Sequence, residues 1–220
     1  MESLPVSGKI RFPGAEAAVL ARGRRLEHLT IAWNALEAAI SLLAGVVAGS
    51  VALISFGLDS VIEVASALIL LWRLQPGMQQ ERRESVERRA HRLVGTCLLL
   101  LAAYVAIESA RALWLHNVPE RTLLGIAIAC AAVIIMPLLG RAKRKVAAEL
   151  GSGALHSDSR QADFCAYLSA ILLVGLLFNW LLGWWWADPA AALVMVPIIA
   201  REGLQGLRGK NCDDCSCTMA

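Results

Sequence analysis

Two acidic residues four positions apart stand in the middle of a long apolar stretch of this sequence. They are Asp59 and Glu63, within the segment GLDSVIEV at 57–64, and the residues from Gly49 to Trp72 carry no other charge. A spacing of four places both carboxyl groups on one face of a helix. Two carboxylates one turn apart repel each other, so the pair is expected to bind a proton or to share a cation.

The surroundings of this acidic pair are typical of a transmembrane helix, which needs about 20 apolar residues. A charge at mid-bilayer costs about 2.5–3.5 kcal/mol on insertion scales, and such residues face the interior of a bundle and usually serve function. The alternative is a structural pair neutralised by an arginine of a neighbouring helix. It is disfavoured because Arg111 and Arg160, the arginines within other spans, lie near the span ends.

A second set of metal-binding side chains occurs in ALHSDSRQADFCAYLSA, at residues 154–170. Asp158, Gln161 and Cys165 recur at i, i+3 and i+7, which places them on one helical face. If this face lies against the acidic pair, the two enclose a cavity with carboxylate, amide and thiolate donors.

Such mixed oxygen and sulfur donors suit Zn²⁺, Cd²⁺ or Co²⁺ and do not suit Mg²⁺ or Ca²⁺. Zn²⁺ takes four ligands in a tetrahedron. We therefore predict a metal site with Asp59, Glu63 and Cys165 as its core ligands and Gln161 as a weaker fourth ligand.

Three neighbouring residues have open assignments. His156 and Asp163 also share a helical face, and His156 either guards the cytoplasmic entrance of a metal path or lies at the lipid headgroups. Asp158 either lines that path or caps the N-terminus of its helix. Asp163 has no assigned role.

The C-terminal tail contains the motif C-x-x-C-x-C, formed by Cys212, Cys215 and Cys217, with Asp213 and Asp214 between the first two cysteines. In a reducing compartment, thiolates and carboxylates at this density can capture a soft metal ion. The alternative is an unstructured tail whose thiols have no function.

The composition of the whole chain is that of an integral membrane protein. Of its 220 residues, 57% are hydrophobic and 18% charged, and the mean hydropathy is +0.58, whereas soluble domains carry about 25% charged residues. We predict an all-α integral membrane protein with six transmembrane helices. The six spans are 29–47, 49–72, 93–114, 123–140, 155–178 and 184–200. The predicted organisation is a cytoplasmic N-terminal segment at 1–28, a transmembrane domain at 29–205 and a cytoplasmic cysteine-containing tail at 206–220.

Basic residues alternate between the connections. Arginine and lysine are frequent before span one, between spans two and three, between spans four and five, and in the tail, and the other connections hold almost none beyond Arg121. The positive-inside rule therefore places both termini in the cytoplasm. Trp184, Trp185 and Trp186 then lie at the outer interface, and a bacterial inner membrane is the expected location.

Several other classes of function are disfavoured. The arginines flank apolar spans instead of interleaving with aromatic residues, so no nucleic-acid partner is expected. Neither a nucleophile–base pair nor a zinc-protease helix occurs, so neither enzymatic activity nor a bound cofactor is expected. The six cysteines are not interpreted as a disulfide framework, because the chain is not a small secreted domain.

Three further polar features are predicted to be structural. Asn34 and Glu37, at i and i+3 in span one, are expected to form interhelical hydrogen bonds. Glu108 and Arg111 are expected to form an intrahelical ion pair. Asp188, which precedes a proline, is expected to cap the N-terminus of span six.

Three segments of the chain resemble a known transporter family. GSVALISFGLDSVIEVASALILLW resembles the second transmembrane helix of the cation diffusion facilitator family, DSRQADFCAYLSA its fifth helix and WWADPAAALVMVPIIAREG its sixth. The resemblance covers the six spans, roughly residues 29–205. It implies the export of divalent metals, usually Zn²⁺, from the cytoplasm in exchange for protons.

By position, Asp59 and Glu63 occupy the family's two acid places on the second helix. Gln161 and Cys165 occupy the places usually held by His and Asp on the fifth, which favours a thiophilic ion. The family's usual cytoplasmic domain after span six is not found in this sequence, so the expected homodimer would form through the membrane helices of a short family member.

The expected function is proton-coupled export of a divalent transition metal, with Zn²⁺ as the first candidate and Cd²⁺ or Co²⁺ as the others. The metal ion and the lipid bilayer are the expected partners. One alternative is a membrane metal sensor that binds metal through the cysteine tail without transport. Another is a passive cation channel, which would lack proton coupling.

Overall fold

The computed structural model describes residues 13–73, 80–150 and 153–208, and these ranges form six helices without a strand. The helices are α1 (Pro13–Ala48), α2 (Val51–Arg73), α3 (Gln80–Trp114), α4 (Leu123–Leu150), α5 (Gly153–Leu182) and α6 (Ala187–Arg208). All six are long and apolar enough to cross a membrane. The predicted all-α fold with six spans is confirmed.

Several helices continue beyond the apolar spans. α1 begins at Pro13 instead of residue 29, and α4 runs on to Leu150, ten residues past the predicted end of the fourth span. The added segments are rich in Ala, Arg, Lys and Glu, which are strong helix formers. Hydropathy marks where a helix leaves the hydrocarbon, whereas the helix itself ends where backbone propensity and packing allow.

The connection between α1 and α2 is a two-residue turn. Gly49 has a φ of +65°, and the N–H of Ser50 donates to the carbonyl of Gly45 over 3.0 Å. This is the glycine-terminated helix end that satisfies the last free carbonyls. The turn makes α1 and α2 antiparallel neighbours.

Close approach of α1 and α2 depends on two further glycines. A Cβ at Gly45 would stand 2.9 Å from the backbone nitrogen of Ile54, and one at Gly57 would stand 3.0 Å from the backbone nitrogen of Leu42. Small residues at a crossing let two membrane helices approach closely. Short side chains of α1 can therefore reach polar groups on α2.

The six helices pack chiefly in three pairs, α1 with α2, α3 with α6, and α4 with α5. α2 also contacts α3, α5 and α6, which places it in the interior of the bundle. The core around it is apolar and includes Leu53, Phe56, Leu172 and Met195, all fully buried. Large apolar side chains such as Leu43 and Leu100 point outward, as expected of a surface that faces lipid.

One end of the bundle collects three connections, 49–50, 115–122 and 183–186, and is called the Trp end. There the N–H of Glu120 donates to the carbonyl of Ala48 over 2.7 Å, and Asn179 Nδ2 donates to the carbonyl of Pro119 over 3.3 Å. Trp184 and Trp186 stack at the same end with ring centroids 5.1 Å apart. The opposite end, formed by the start of α1, the end of α4 and the start of α5, is called the basic end.

Asp188 ties α6 to α2 at the Trp end. It lies in the first turn of α6, but its carboxylate accepts hydrogen bonds from Ser50 Oγ at 2.5 Å and from the Ala52 N–H at 3.4 Å. The recorded bonds therefore cap the N-terminus of α2, not that of α6 as predicted. The role is structural, and the partner helix is a neighbour in space instead of in sequence.

Candidate metal site

Three predicted ligands come together in the interior of the bundle. Asp59, Glu63 and Cys165 each offer a ligand atom, and these three atoms lie within 4.8 Å of one another. All three residues are buried. The acids stand one turn apart on α2 and the thiol comes from α5, as the spacing of both segments predicts. We call this group the DEC cluster; metal binding by it stays a prediction.

A cleft opens beside the DEC cluster. Polar side chains line it from three helices, with Asp59 and Glu63 from α2, Gln161 from α5 and Glu202 from α6. Its apolar lining comprises Leu98, Phe164, Leu168, Ile198 and Ile199. Gln161 thus faces the same space as the acids, and its Oε1 accepts a hydrogen bond from Ser66 Oγ at 3.4 Å. Glu202 was not predicted, because it stands at the polar end of the sixth span.

Helix α1 also reaches the DEC cluster. Asn34 Nδ2 donates to Glu63 Oε2 over 2.8 Å. Glu37 Oε1 accepts from Ser60 Oγ at 2.6 Å and from the Cys165 thiol at 3.7 Å. The predicted interhelical hydrogen bonds of Asn34 and Glu37 are confirmed. That their partners would be two of the predicted ligands did not follow from the sequence.

A buried ion group lies towards the basic end. Lys143 Nζ is 3.3 Å from Glu27 Oε2 and also pairs with Asp158. The side chains of Lys143 and Glu27 are 1% and 0% exposed. The sequence predicts this stretch as the basic connection between spans four and five, but α4 continues past Lys143 to Leu150, and the lysine side chain is buried. The group joins α1, α4 and α5.

The structure excludes one of the two assignments of Asp158. α5 begins at Gly153, so Asp158 is not at the N-terminus of its helix and the capping assignment is wrong. Its carboxylate is held by Lys143. A role of Asp158 in the metal path stays a prediction.

Neither His156 nor Asp163 joins the DEC cluster. His156 is exposed in the first turn of α5, and its role at the entrance of a metal path stays a prediction. Asp163, for which the sequence predicts no role, forms an ion pair with Arg144 of α4. The face of α5 that carries His156 and Asp163 therefore does not face Asp59 and Glu63.

The remaining predictions concern residues away from the DEC cluster. Glu108 and Arg111 form the predicted ion pair at 3.6 Å. Cys212, Cys215 and Cys217 lie outside the described residues, so metal capture by the tail stays a prediction.

The comparisons with known proteins agree with this architecture. Residues 28–209 match the model of the cation efflux transmembrane domain. An uncharacterized transporter of Synechocystis sp. is 26% identical over 160 residues, which are 70% of this chain and 52% of that protein. The chain thus spans about half the length of the curated relative it matches. Because the domain match contains the DEC cluster and almost all of the six-helix bundle, the chain belongs to the cation efflux family.

Proposed function

We propose that this protein exports a divalent transition-metal cation from the cytoplasm in exchange for protons. Zn²⁺ is the first candidate cargo, and Cd²⁺ and Co²⁺ are the others. The single observation that carries the proposal is the DEC cluster, in which two carboxylates and a thiol converge inside a membrane bundle. Membership of the cation efflux family supports the same class of cargo.

The donor types favour a borderline or soft metal. Carboxylate oxygens alone would suit Mg²⁺ or Ca²⁺, whereas the sulfur of Cys165 favours Zn²⁺, Cd²⁺ or Co²⁺. Asp59, Glu63 and Cys165 are the core ligands, and a tetrahedral ion takes one further donor. Gln161 lines the adjacent cleft and is the candidate that the family resemblance implies.

Exchange for protons follows from the chemistry of these ligands. A carboxylate and a thiol must be deprotonated to bind a metal ion, so binding releases protons. When the ion leaves, three acidic groups within 4.8 Å of one another repel each other and take up protons again. The acids on α2 are therefore neutralised by the metal ion and by protons in turn.

The orientation of the bundle in the membrane is inferred from the distribution of charge, and the direction of transport from the family resemblance. The basic end carries Arg22, which pairs with Glu149 at 2.8 Å, and the positive-inside rule assigns such an end to the cytoplasm. The cation would enter there and leave towards the Trp end after the helices rock. A homodimer through the membrane helices, in a bacterial inner membrane, is part of the proposal.

The test is metal flux in proteoliposomes under an imposed pH gradient, with Zn²⁺, Cd²⁺ and Co²⁺ in turn. Asp59→Asn keeps the size of the side chain and removes its charge, so it should abolish flux. Glu108→Gln is the matched control, because Glu108 is also an acid within a span but pairs with Arg111. It should transport at the rate of the wild type.

The rivals predict different results from the same vesicles. A passive channel would show flux that does not respond to the pH gradient. A metal sensor would show no flux, and replacing Cys212, Cys215 and Cys217 by serine would abolish its metal binding. Flux that persists in Asp59→Asn would contradict the proposed role of the DEC cluster.

A further inference from the structure

We propose that Glu37 of α1 is the fourth donor of the cation site, so that three helices hold the ion. Gln161 then lines the cleft without binding the cation. This inference rests on the proposed function of the DEC cluster and adds a ligand that neither the spacing of acids on α2 nor the family resemblance assigns.

Donor atoms of Glu37 and Cys165 lie close together. Glu37 Oε1 lies 3.7 Å from Cys165 Sγ. Zinc binds oxygen at about 2.0–2.2 Å and sulfur at about 2.3 Å in a tetrahedron, so two such ligands of one ion stand about 3.5 Å apart. The carboxylate and the thiol have nearly the separation that a shared ion requires. Glu37 is outside the group whose ligand atoms all lie within 4.8 Å of one another, so its carboxylate must turn towards Asp59 and Glu63 to complete the site.

One carboxylate oxygen of Glu37 is buried without a well-formed hydrogen bond. Glu37 is fully buried, and its Oε1 accepts from Ser60 Oγ as well as from Cys165. Its Oε2 is also buried and has no hydrogen bond of good geometry among the described residues, although the Trp33 indole one turn away on α1 also acts on this carboxyl group. A buried acceptor left unsatisfied is costly. A cation in the DEC cluster would supply the missing contact, and the terminal torsion of glutamate is broad enough to present either oxygen.

Helix α1 contacts the predicted ligands at more than one residue. Asn34 stands one turn before Glu37 on the same face and donates to Glu63 Oε2 at 2.8 Å. α1 thus contacts a predicted ligand on α2 and another on α5. α1 and α2 also approach closely at Gly45, about two turns further along α1, where an added Cβ would stand 2.9 Å from the backbone nitrogen of Ile54. Asn34 is a positioning residue that orients Glu63.

The competing fourth donor is less suited to the task. Gln161 is half-buried, and a neutral amide attracts a divalent cation less strongly than a carboxylate does. Glu37 is fully buried and acidic. The two candidates come from different helices, so they can be tested separately.

The experiment measures Co²⁺ binding to the purified full chain in lipid nanodiscs. All variants carry serine in place of Cys212, Cys215 and Cys217, so that tail thiols do not contribute. Cobalt reports two quantities at once. Its visible absorption is intense in a tetrahedral site and weak when water expands the site, and a near-ultraviolet band reports a bond to thiolate. Cys165→Ser in the same background identifies that band.

Glu37→Gln should weaken Co²⁺ binding by at least about tenfold, since even residues that only orient metal ligands contribute factors of 10–100. The remaining complex should lose its intense visible absorption and keep the thiolate band. Gln161→Leu should weaken Co²⁺ binding clearly less than Glu37→Gln does and should leave the intense visible absorption in place, because Gln161 lines the cleft without binding the ion. Glu37→Asp, which keeps the charge and withdraws the carboxylate by one methylene, should fall between parent and Glu37→Gln.

The opposite pattern would overturn the inference. One such result is parental Co²⁺ binding and parental absorption in Glu37→Gln. The other is loss of the thiolate band in that variant, which would mean that Glu37 supports Cys165 and does not bind the ion. If Glu37→Gln does not fold, Glu37→Asp decides, and parental binding by it counts against Glu37. Failure of the proposed function is recognised separately, because Asp59→Asn would then bind Co²⁺ as the parent does.

Discussion

Asn34 on α1 donates a hydrogen bond to Glu63 on α2, with 2.8 Å between Nδ2 and Oε2. Both residues are buried, and the bond joins the first helix of the bundle to the second acid of the proposed cation site. An amide that donates to one carboxylate oxygen orients the other towards a shared ion, as residues that support metal ligands commonly do.

Loss of this bond should weaken cation binding. Asn34→Leu keeps the approximate size of the side chain and removes the donor, and we expect Cd²⁺ affinity to fall by about tenfold or more. Isothermal titration of the purified chain measures the change. Asn34→Gln, which retains a donor, should recover part of the affinity. Equal affinity of Asn34→Leu and wild type would show that Glu63 needs no such support.

The buried ion group at the basic end should be critical for stability. Lys143→Met removes the cation and leaves the buried Glu27 and the partly buried Asp158 without their partner. Breaking a buried pair in this way costs about 3–5 kcal/mol. The thermal midpoint in detergent should fall accordingly.

A combined variant separates charge from packing at the same group. Adding Glu27→Gln and Asp158→Asn to Lys143→Met removes every unpaired charge, so most of the lost stability should return. If the triple variant is no more stable than Lys143→Met, packing of the lysine chain and not its charge holds α1, α4 and α5 together.

The sulfur of Cys165 should set the order of metal preference. Cys165→Ser replaces a soft donor by a hard one, so Cd²⁺ affinity should fall more than Zn²⁺ affinity does. A change in the ratio of about tenfold corresponds to about 1.4 kcal/mol. Competition between the two ions for the purified chain, with serine in place of Cys212, Cys215 and Cys217, measures that ratio. An unchanged ratio would mean that Cys165 does not bind the ion.

Two glycines of the α1–α2 hairpin should respond differently to alanine. Gly45→Ala places a Cβ 2.9 Å from the backbone nitrogen of Ile54. Overpacking of this kind costs about 1–3 kcal/mol, and helices pushed apart should also bind cations less tightly, because Asn34 and Glu37 on α1 contact predicted ligands on α2 and α5.

Gly49→Ala is the matched control. A Cβ there meets no atom within 4 Å, but the backbone φ of +65° is unfavourable for a residue with a side chain. The strain costs about 1 kcal/mol. Cation affinity should be unchanged, since the added Cβ meets no neighbouring helix and α1 and α2 need not move apart. Thermal denaturation and Cd²⁺ titration of both variants test the contrast. Equal losses of affinity would remove the special role of the close crossing.

Much of this architecture could be predicted from local properties of the sequence. Apolar spans of sufficient length indicated six membrane helices, and the four-residue spacing placed Asp59 and Glu63 on one face. The position of Cys165 on span five indicated the third member of the DEC cluster. These features depend on hydropathy and on the period of a single helix, and both can be counted along the chain.

Only the tertiary structure decided which helices exchange polar contacts. It joined Asn34 and Glu37 to the ligands, buried Lys143 between Glu27 and Asp158, and turned Asp188 towards the start of α2. Each of these contacts depends on how one helix is rotated against another and on how closely they cross. The period of a helix shows which residues share a face, but the partner of that face is chosen by packing among all six helices.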